Sequence, residues 1–210
     1  MQRPRPPEIR FEEGEIHYFF GREARLSFLN KPKQHTSFDV FSPQSELAFE
    51  CSEGTLGIDG ADGSTREEIE VEGEEKESGK KEAVASLYLS AGRDTVEARK
   101  QALHNYYRAA LERHIPTFIA KYEPLLGVEV KEWRIKRMKT RWGTCNITDC
   151  RIWLNLGLAH YPLECLEYVV VHEMAHLLER HHNQRFWRLI SRVMPDWQAA
   201  KVMLKQNQFG

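Results

Sequence analysis

The sequence predicts an α+β protein, with a small, partly antiparallel sheet packed beside a helical core. Three observations predict it. Near the N-terminus, Ile16 to Phe20 and Ala24 to Leu29 flank Gly21-Arg22, the pattern of a hairpin. From residue 94 onward, apolar residues recur at three- and four-residue spacing, the period of a helix face. Within that helical part, Tyr168 to His182 reads YVVVHEMAHLLERHH, an apolar run leading straight into His-Glu-x-x-His.

Taken in order, residues 1–8 are proline-rich and predicted to be extended. Beyond the hairpin, Phe38 to Phe41 and Leu47 to Cys51 suggest two further strands, so that 1–51 forms a β-rich N-terminal part. Residues 52–82 are rich in Gly, Asp, Glu, Ser and Lys, with almost no large apolar residue. Such a stretch cannot bury enough surface to offset its ordering entropy. We therefore expect an acidic, flexible insertion and linker over 52–93, and a metal-dependent hydrolase domain over 94–210.

That last domain opens on a long helix, with Asp94 as candidate N-cap. Leu103, Tyr107, Leu111, Phe118 and Tyr122 form its core stripe, Pro116 is expected to bend or break it, and Gly127 to stop it. Val128 to Ile135 and Arg151 to Leu156 read as strands joined by the turn MKTRWGTCNITDC. Pro162 can open a helix that runs through the His-Glu-x-x-His motif to about Glu179. A further helix covers Gln184 to Met194, and Asp196 can cap a last one through Leu204.

Bulk properties narrow the function classes. The chain has 210 residues, enough for one domain with an appendage, and a formal net charge of −1. Total charge thus points to no particular partner, although Lys131 to Arg151 is locally basic. No apolar run approaches the roughly 20 residues of a membrane span. The N-terminus lacks the apolar core of a signal peptide. Cys51, Cys145, Cys150 and Cys165 lack the spacing of a secreted scaffold, and we expect reduced thiols in the cytoplasm. Cys145 and Cys150 have no second close pair, which argues against a structural zinc site there.

The motif carries the chemistry. Residues four apart share a helix face, so His172 and His176 can bind one metal ion from neighbouring turns. Glu173 can then reach a water on the open side of that ion. The same motif also occurs on ordinary solvated helices. Here the apolar run before it marks a buried helix, and buried polar groups need partners. A catalytic zinc usually takes three protein ligands. His182, six residues after His176, has the spacing of the longer pattern HExxHxxGxxH, with Glu179 in place of its glycine. His181 and Glu179 are the rival third ligands.

Beyond these readings, TRWGTC (Thr140 to Cys145), RIWLN (Arg151 to Asn155), YVVVHEMAHLLERHHNQRFW (Tyr168 to Trp187) and PDW (Pro195 to Trp197) resemble the YgjP-like metallopeptidase family. That family is related to the SprT and WLM peptidases and shares the zincin type of catalytic helix. The resemblance is strong from about Lys136 to Trp197, and only HYFFGREARL carries it at the N-terminal end. It implies a zincin-like core, Zn2+ as cofactor, His172, His176 and His182 as ligands, and Glu173 as general base. Phe186 and Trp187 match its Phe-Trp pair, and we assign them to packing behind His182.

Arg137, Lys139 and Arg141, with Lys136, read either as solvent-facing charges on a strand or as an anion site near the metal. As candidate substrate-binding residues they would hold a phosphate or a substrate carboxylate. Trp142 either stacks on a base or packs under the motif helix. The leading expectation is a zinc-dependent hydrolase of peptide or protein substrates. A nucleotide pyrophosphatase using the same metal site and a non-catalytic zinc-braced binding module are the alternatives. No nucleic-acid-binding module is evident.

Overall fold

The computed structural model describes residues 10–29, 85–90 and 95–206. The strands expected at Phe38 to Phe41 and Leu47 to Cys51, and residues 52–82, lie outside the described residues. Two three-stranded sheets and four α-helices make up the described part.

The first sheet has the order β1-β2-β3, with β1 (Ile16–Phe19) antiparallel to β2 (Arg22–Leu29) and β2 parallel to β3 (Ala85–Ser90). The hairpin turn is Phe20-Gly21, both at positive φ (45° and 78°), a pairing that matches the twist of the flanking strands. A Cβ on Gly21 would meet Pro162 Cγ at 2.6 Å, so glycine also lets this turn seat against the start of the motif helix. The Phe20 and Gly21 amides donate to the Ala159 and His160 carbonyls at 2.8 and 3.1 Å. Strand β3 falls inside the span assigned from sequence to insertion and linker. Its buried Leu87 and Leu89 point to one face at period two and join the core.

Helix α1 (Val96–Leu126) is capped by Thr95, whose side chain accepts from the Ala98 amide at 3.2 Å, rather than by Asp94. It ends at Gly127 (φ 71°), as expected. Pro116 does not break it. A proline inside a helix costs about 3 kcal/mol, but the buried stripe Leu111, Ile115, Ile119 and Tyr122 continues across it. Burying each such side chain contributes about 1.5–3 kcal/mol, enough to offset that cost.

The second sheet has the order β4-β6-β5. Strand β4 (Glu132–Lys136) is parallel to β6 (Arg151–Asn155), and β5 (Gly143–Asn146) is antiparallel to it. The stretch read as a turn therefore contains an edge strand. Gly, Thr, Cys and Asn offer no apolar alternation, and pairing with β6 makes the strand. A short 3-10 turn (Leu156–His160) leads into α2 (Leu163–Ala175), followed by α3 (Gln184–Val193) and α4 (Trp197–Gln206). Helix α2 is the centre of the core: Leu166, Val170, Val171, Met174 and Ala175 are fully buried.

Candidate metal centre

Helix α2 ends one turn earlier than expected, at Ala175, with His176 as its C-cap. The Leu177 and Leu178 amides donate to the Met174 and Ala175 carbonyls, three residues back, which tightens the last turn. The chain then turns back toward the motif without a left-handed residue at Glu179. The non-glycine residues at positive φ, among those described, are Phe11, Phe20 and Cys150. This reversal brings His182 onto the motif.

His172, His176 and His182 each direct a ring nitrogen into one cluster, all within 4.8 Å of one another. The Nε2 atoms of His172 and His182 are 2.9 Å apart. Two nitrogens about 2.0–2.1 Å from one tetrahedral ion would lie roughly 3.3 Å apart, so the spacing suits a shared metal. The outward nitrogens also fit. His176 Nδ1 lies 3.0 Å from the Glu179 carbonyl, which can only accept, so Nδ1 carries the proton and Nε2 keeps its lone pair. His172 Nδ1 faces the Tyr168 hydroxyl at 3.4 Å. Among the described residues, no fourth His, Cys, Asp or Glu joins the cluster. His181 is exposed, and Glu179 contributes its carbonyl while its carboxylate faces Arg185 at 3.9 Å.

Phe186, fully buried, is the platform beneath the three imidazoles, its ring 4.6 to 4.9 Å from each. Asn183 caps α3 by accepting from the Phe186 amide at 3.0 Å, which fixes that ring next to the returning chain. Trp187 stacks on His182 and its Nε1 donates to the His182 carbonyl at 3.1 Å. The Phe-Trp pair thus packs behind His182, as the sequence reading expects.

Burial governs the electrostatics of the cluster. It pushes the His172 imidazole down to about 3, helped by His176 and His182, and it lowers His176 and His182 as well. The shifts favour the neutral ring in all three, the state that ligates a metal. Glu173 is buried, at 5 % exposure. Burial pushes its carboxyl up to about 8, partly opposed by Arg141.

Glu173 packs against Gly143 on β5, where a Cβ would lie 2.6 to 2.8 Å from Glu173 Oε1, Cγ and Cδ. Asn155, buried at the end of β6, holds the loop that leads to Gly143. Its Nδ2 donates to the Met138 and Arg141 carbonyls at 2.8 and 2.7 Å, and its Oδ1 accepts from the Gly157 amide at 3.1 Å. Trp142 packs edge-on against Tyr161 at 4.9 Å.

These groups line a cavity of about 820 Å3. Of the basic candidates, Arg141 lines it. Arg137 and Lys139 are exposed and outside its lining. Three cations that sequence reading did not single out, Arg180, Lys201 and Lys205, also line the cavity. They come from the α2–α3 connection and α4, so no local pattern connects them to the motif.

A buried helix carrying two histidines and a carboxylate, a third histidine from the returning chain and a small mixed sheet at its side form a site that could hold a metal ion. The chain matches the model of the YgjP-like metallopeptidase domain over residues 63–207 and belongs to that family. No curated protein sequence matches it. Among solved structures it is similar to the metallopeptidase zymogen abylysin of Pyrococcus abyssi, with 22% identity and a TM-score of 0.39 over 43% of this chain and 93% of that one. Jannalysin of Methanocaldococcus jannaschii, also a metallopeptidase zymogen, matches with 18% identity and a TM-score of 0.39 over 44% of this chain and 94% of that one. The family implies a divalent metal, and the histidine cluster can hold one.

Proposed function

We propose that this protein is a zinc-dependent peptidase in which His172, His176 and His182 hold the ion and Glu173 is the general base. The observation that carries the proposal is the convergence of three imidazoles within 4.8 Å, with a buried carboxylate from the same helix turn beside them. Three imidazoles suit zinc, and a site with three protein ligands keeps a position open for chemistry. This favours a catalytic over a bracing role.

An ion held there supplies Lewis acidity, acidifying a water and polarising the attacked carbonyl. Glu173 takes a proton from the attacking water at its carboxylate and delivers it to the leaving amine. Arg141 favours the ionised carboxylate that the first of these steps needs. Gly143 leaves room for Glu173 to lie against β5. Among the described residues, strand β5 is the outer strand of its sheet, and it lines the cavity, so its edge offers backbone donors and acceptors to an extended peptide. This edge supports peptide over nucleotide as substrate. Free Cys145, Cys150 and Cys165 support a reducing, cytoplasmic compartment. Among the described residues, no helix is long and apolar enough to cross a membrane.

The test offers zinc-loaded protein a peptide library and, separately, nucleoside triphosphates. We expect peptide cleavage that is lost on chelation and restored by zinc. Phosphate release from nucleotides, with every peptide left intact, would contradict the proposal and favour a pyrophosphatase.

A further inference from the structure

The cavity around the histidine cluster has an unbalanced charge. Among the described residues, Arg141, Arg180, Lys201 and Lys205 line it, against one acidic residue, Glu173. The whole chain carries a net charge of −1, so this is a local arrangement and not the composition of the protein. Among the described residues, ion pairs join Lys121 to Glu167, Arg134 and Arg151 to Glu132, and Arg185 to Glu179, but none involves these four cations.

Lys201 shows how such a charge is kept in place. Its ammonium lies 3.9 Å from the centre of the Trp187 ring and 4.9 Å from that of Trp197, and the two indoles stack at 4.6 Å. Aromatic faces hold a cation without neutralising it. A carboxylate partner would have cancelled the charge and occupied the ammonium's donors. Lys205, one turn further along α4, adds a second positive charge on the same wall. Like charges four apart on a helix repel, and a bound anion relieves that repulsion. Arg141 precedes β5 in the chain, and its carbonyl accepts from Asn155 Nδ2 at 2.7 Å.

We infer that the cavity selects peptides carrying a carboxylate next to the scissile bond, with Lys201 and Lys205 as the main specificity determinants and Arg141 and Arg180 assisting. The inference rests on the peptidase reading above and names its substrate class. The carboxylate is either an Asp or Glu side chain or a free C-terminus; both present the same anion to the same lysines.

The test uses the full-length, zinc-loaded protein. One peptide set is capped at both ends and varies Asp, Glu, Asn, Gln and Lys around the cleaved bond. A second set is neutral inside and differs in a free or amidated C-terminus. We expect the carboxylate form of one set to be cleaved with a kcat/KM roughly tenfold or more above its amide counterpart, the scale of a charge-assisted hydrogen bond. The set that shows the preference identifies the source of the carboxylate. Lys201→Met, which keeps an apolar stem on the indoles, should reduce the preference. The pair Lys201→Glu and Lys205→Glu should reverse it toward lysine-bearing or amidated peptides, with zinc content and melting temperature confirming an intact fold. Calorimetric binding of the same peptides to zinc-loaded Glu173→Gln protein should follow the same order and weaken with salt.

Equal cleavage of acidic and neutral peptides, or a preference unmoved by charge reversal, would overturn this inference and leave the peptidase reading standing. Tighter binding of a single-stranded oligonucleotide than of the acidic peptides would also overturn it. Failure to cleave any peptide would overturn both.

Discussion

Gly143 on β5 lies flush against Glu173 on α2, with no room between them for a methyl group: a Cβ at residue 143 would come within 2.6 Å of Oε1. The glycine of the Arg-Trp-Gly-Thr-Cys stretch is thus a spatial requirement of the carboxylate. Gly143→Ala should displace Glu173 and lower kcat by about a hundredfold, the scale expected when a reacting group is misplaced by an ångström. Zinc content should stay at the wild-type level, because the displaced group, Glu173, is not one of the three proposed ligands. Parallel turnover and metal analysis checks this, and a fully active Gly143→Ala protein would show that Glu173 is not held by this contact.

Removing the carboxylate separates binding from chemistry. Glu173→Gln should retain zinc and lose roughly 100- to 10,000-fold in kcat, the range of general acid–base catalysis. His172→Ala, His176→Ala and His182→Ala should each lose zinc and activity together. His181→Ala should lose neither. Metal content measured beside turnover for the five variants distinguishes His182 from its neighbour His181.

Buried Glu173 and partly buried His172 give the metal-free protein opposite pH dependences. The Glu173 carboxyl is raised from 4.5 to about 8 in the folded chain. The unfolded chain ionises first, so this contribution is complete below pH 4.5 and is lost as pH rises toward 8. The His172 imidazole is lowered from 6.5 to about 3. Here the unfolded chain takes the proton first, so stability is lost as pH falls from 6.5 toward 3. Melting of the chelated protein across pH should show both losses. Glu173→Gln should remove only the loss on the alkaline side, and an unchanged slope there would contradict the assignment.

Asn155 joins sheet and site through bonds to Met138, Arg141 and Gly157. Asn155→Ala leaves those partly buried groups without this partner and should cost about 1–3 kcal/mol. Asn155→Asp keeps the acceptor for Gly157 but loses the donors to the two carbonyls, so it should also destabilise. Denaturant midpoints for both variants measure this.

Much of this was legible in the sequence because its signals are local. The spacing of His172 and His176, the distance to His182, the Gly21 turn and the Gly127 stop each act within a few residues. What the sequence did not show depends on distant partners. Strand β5 exists through pairing with β6, and its Gly-Thr-Cys-Asn composition carries no strand pattern of its own. Strand β3 has alternating Leu87 and Leu89 but follows a polar stretch that masks it. Pro116 signals a break that the buried stripe on both sides overrides. Lys201 and Lys205 join the site only because α4 packs against α2, where Trp197 meets Tyr168 at 6.1 Å.

Anomalous diffraction from crystals of the zinc-loaded protein tests the central claim most directly. The account predicts one zinc ion bound by His172, His176 and His182, with Glu173 facing its open side and not ligating. An ion held elsewhere, or one closed off by a fourth protein ligand, would contradict it.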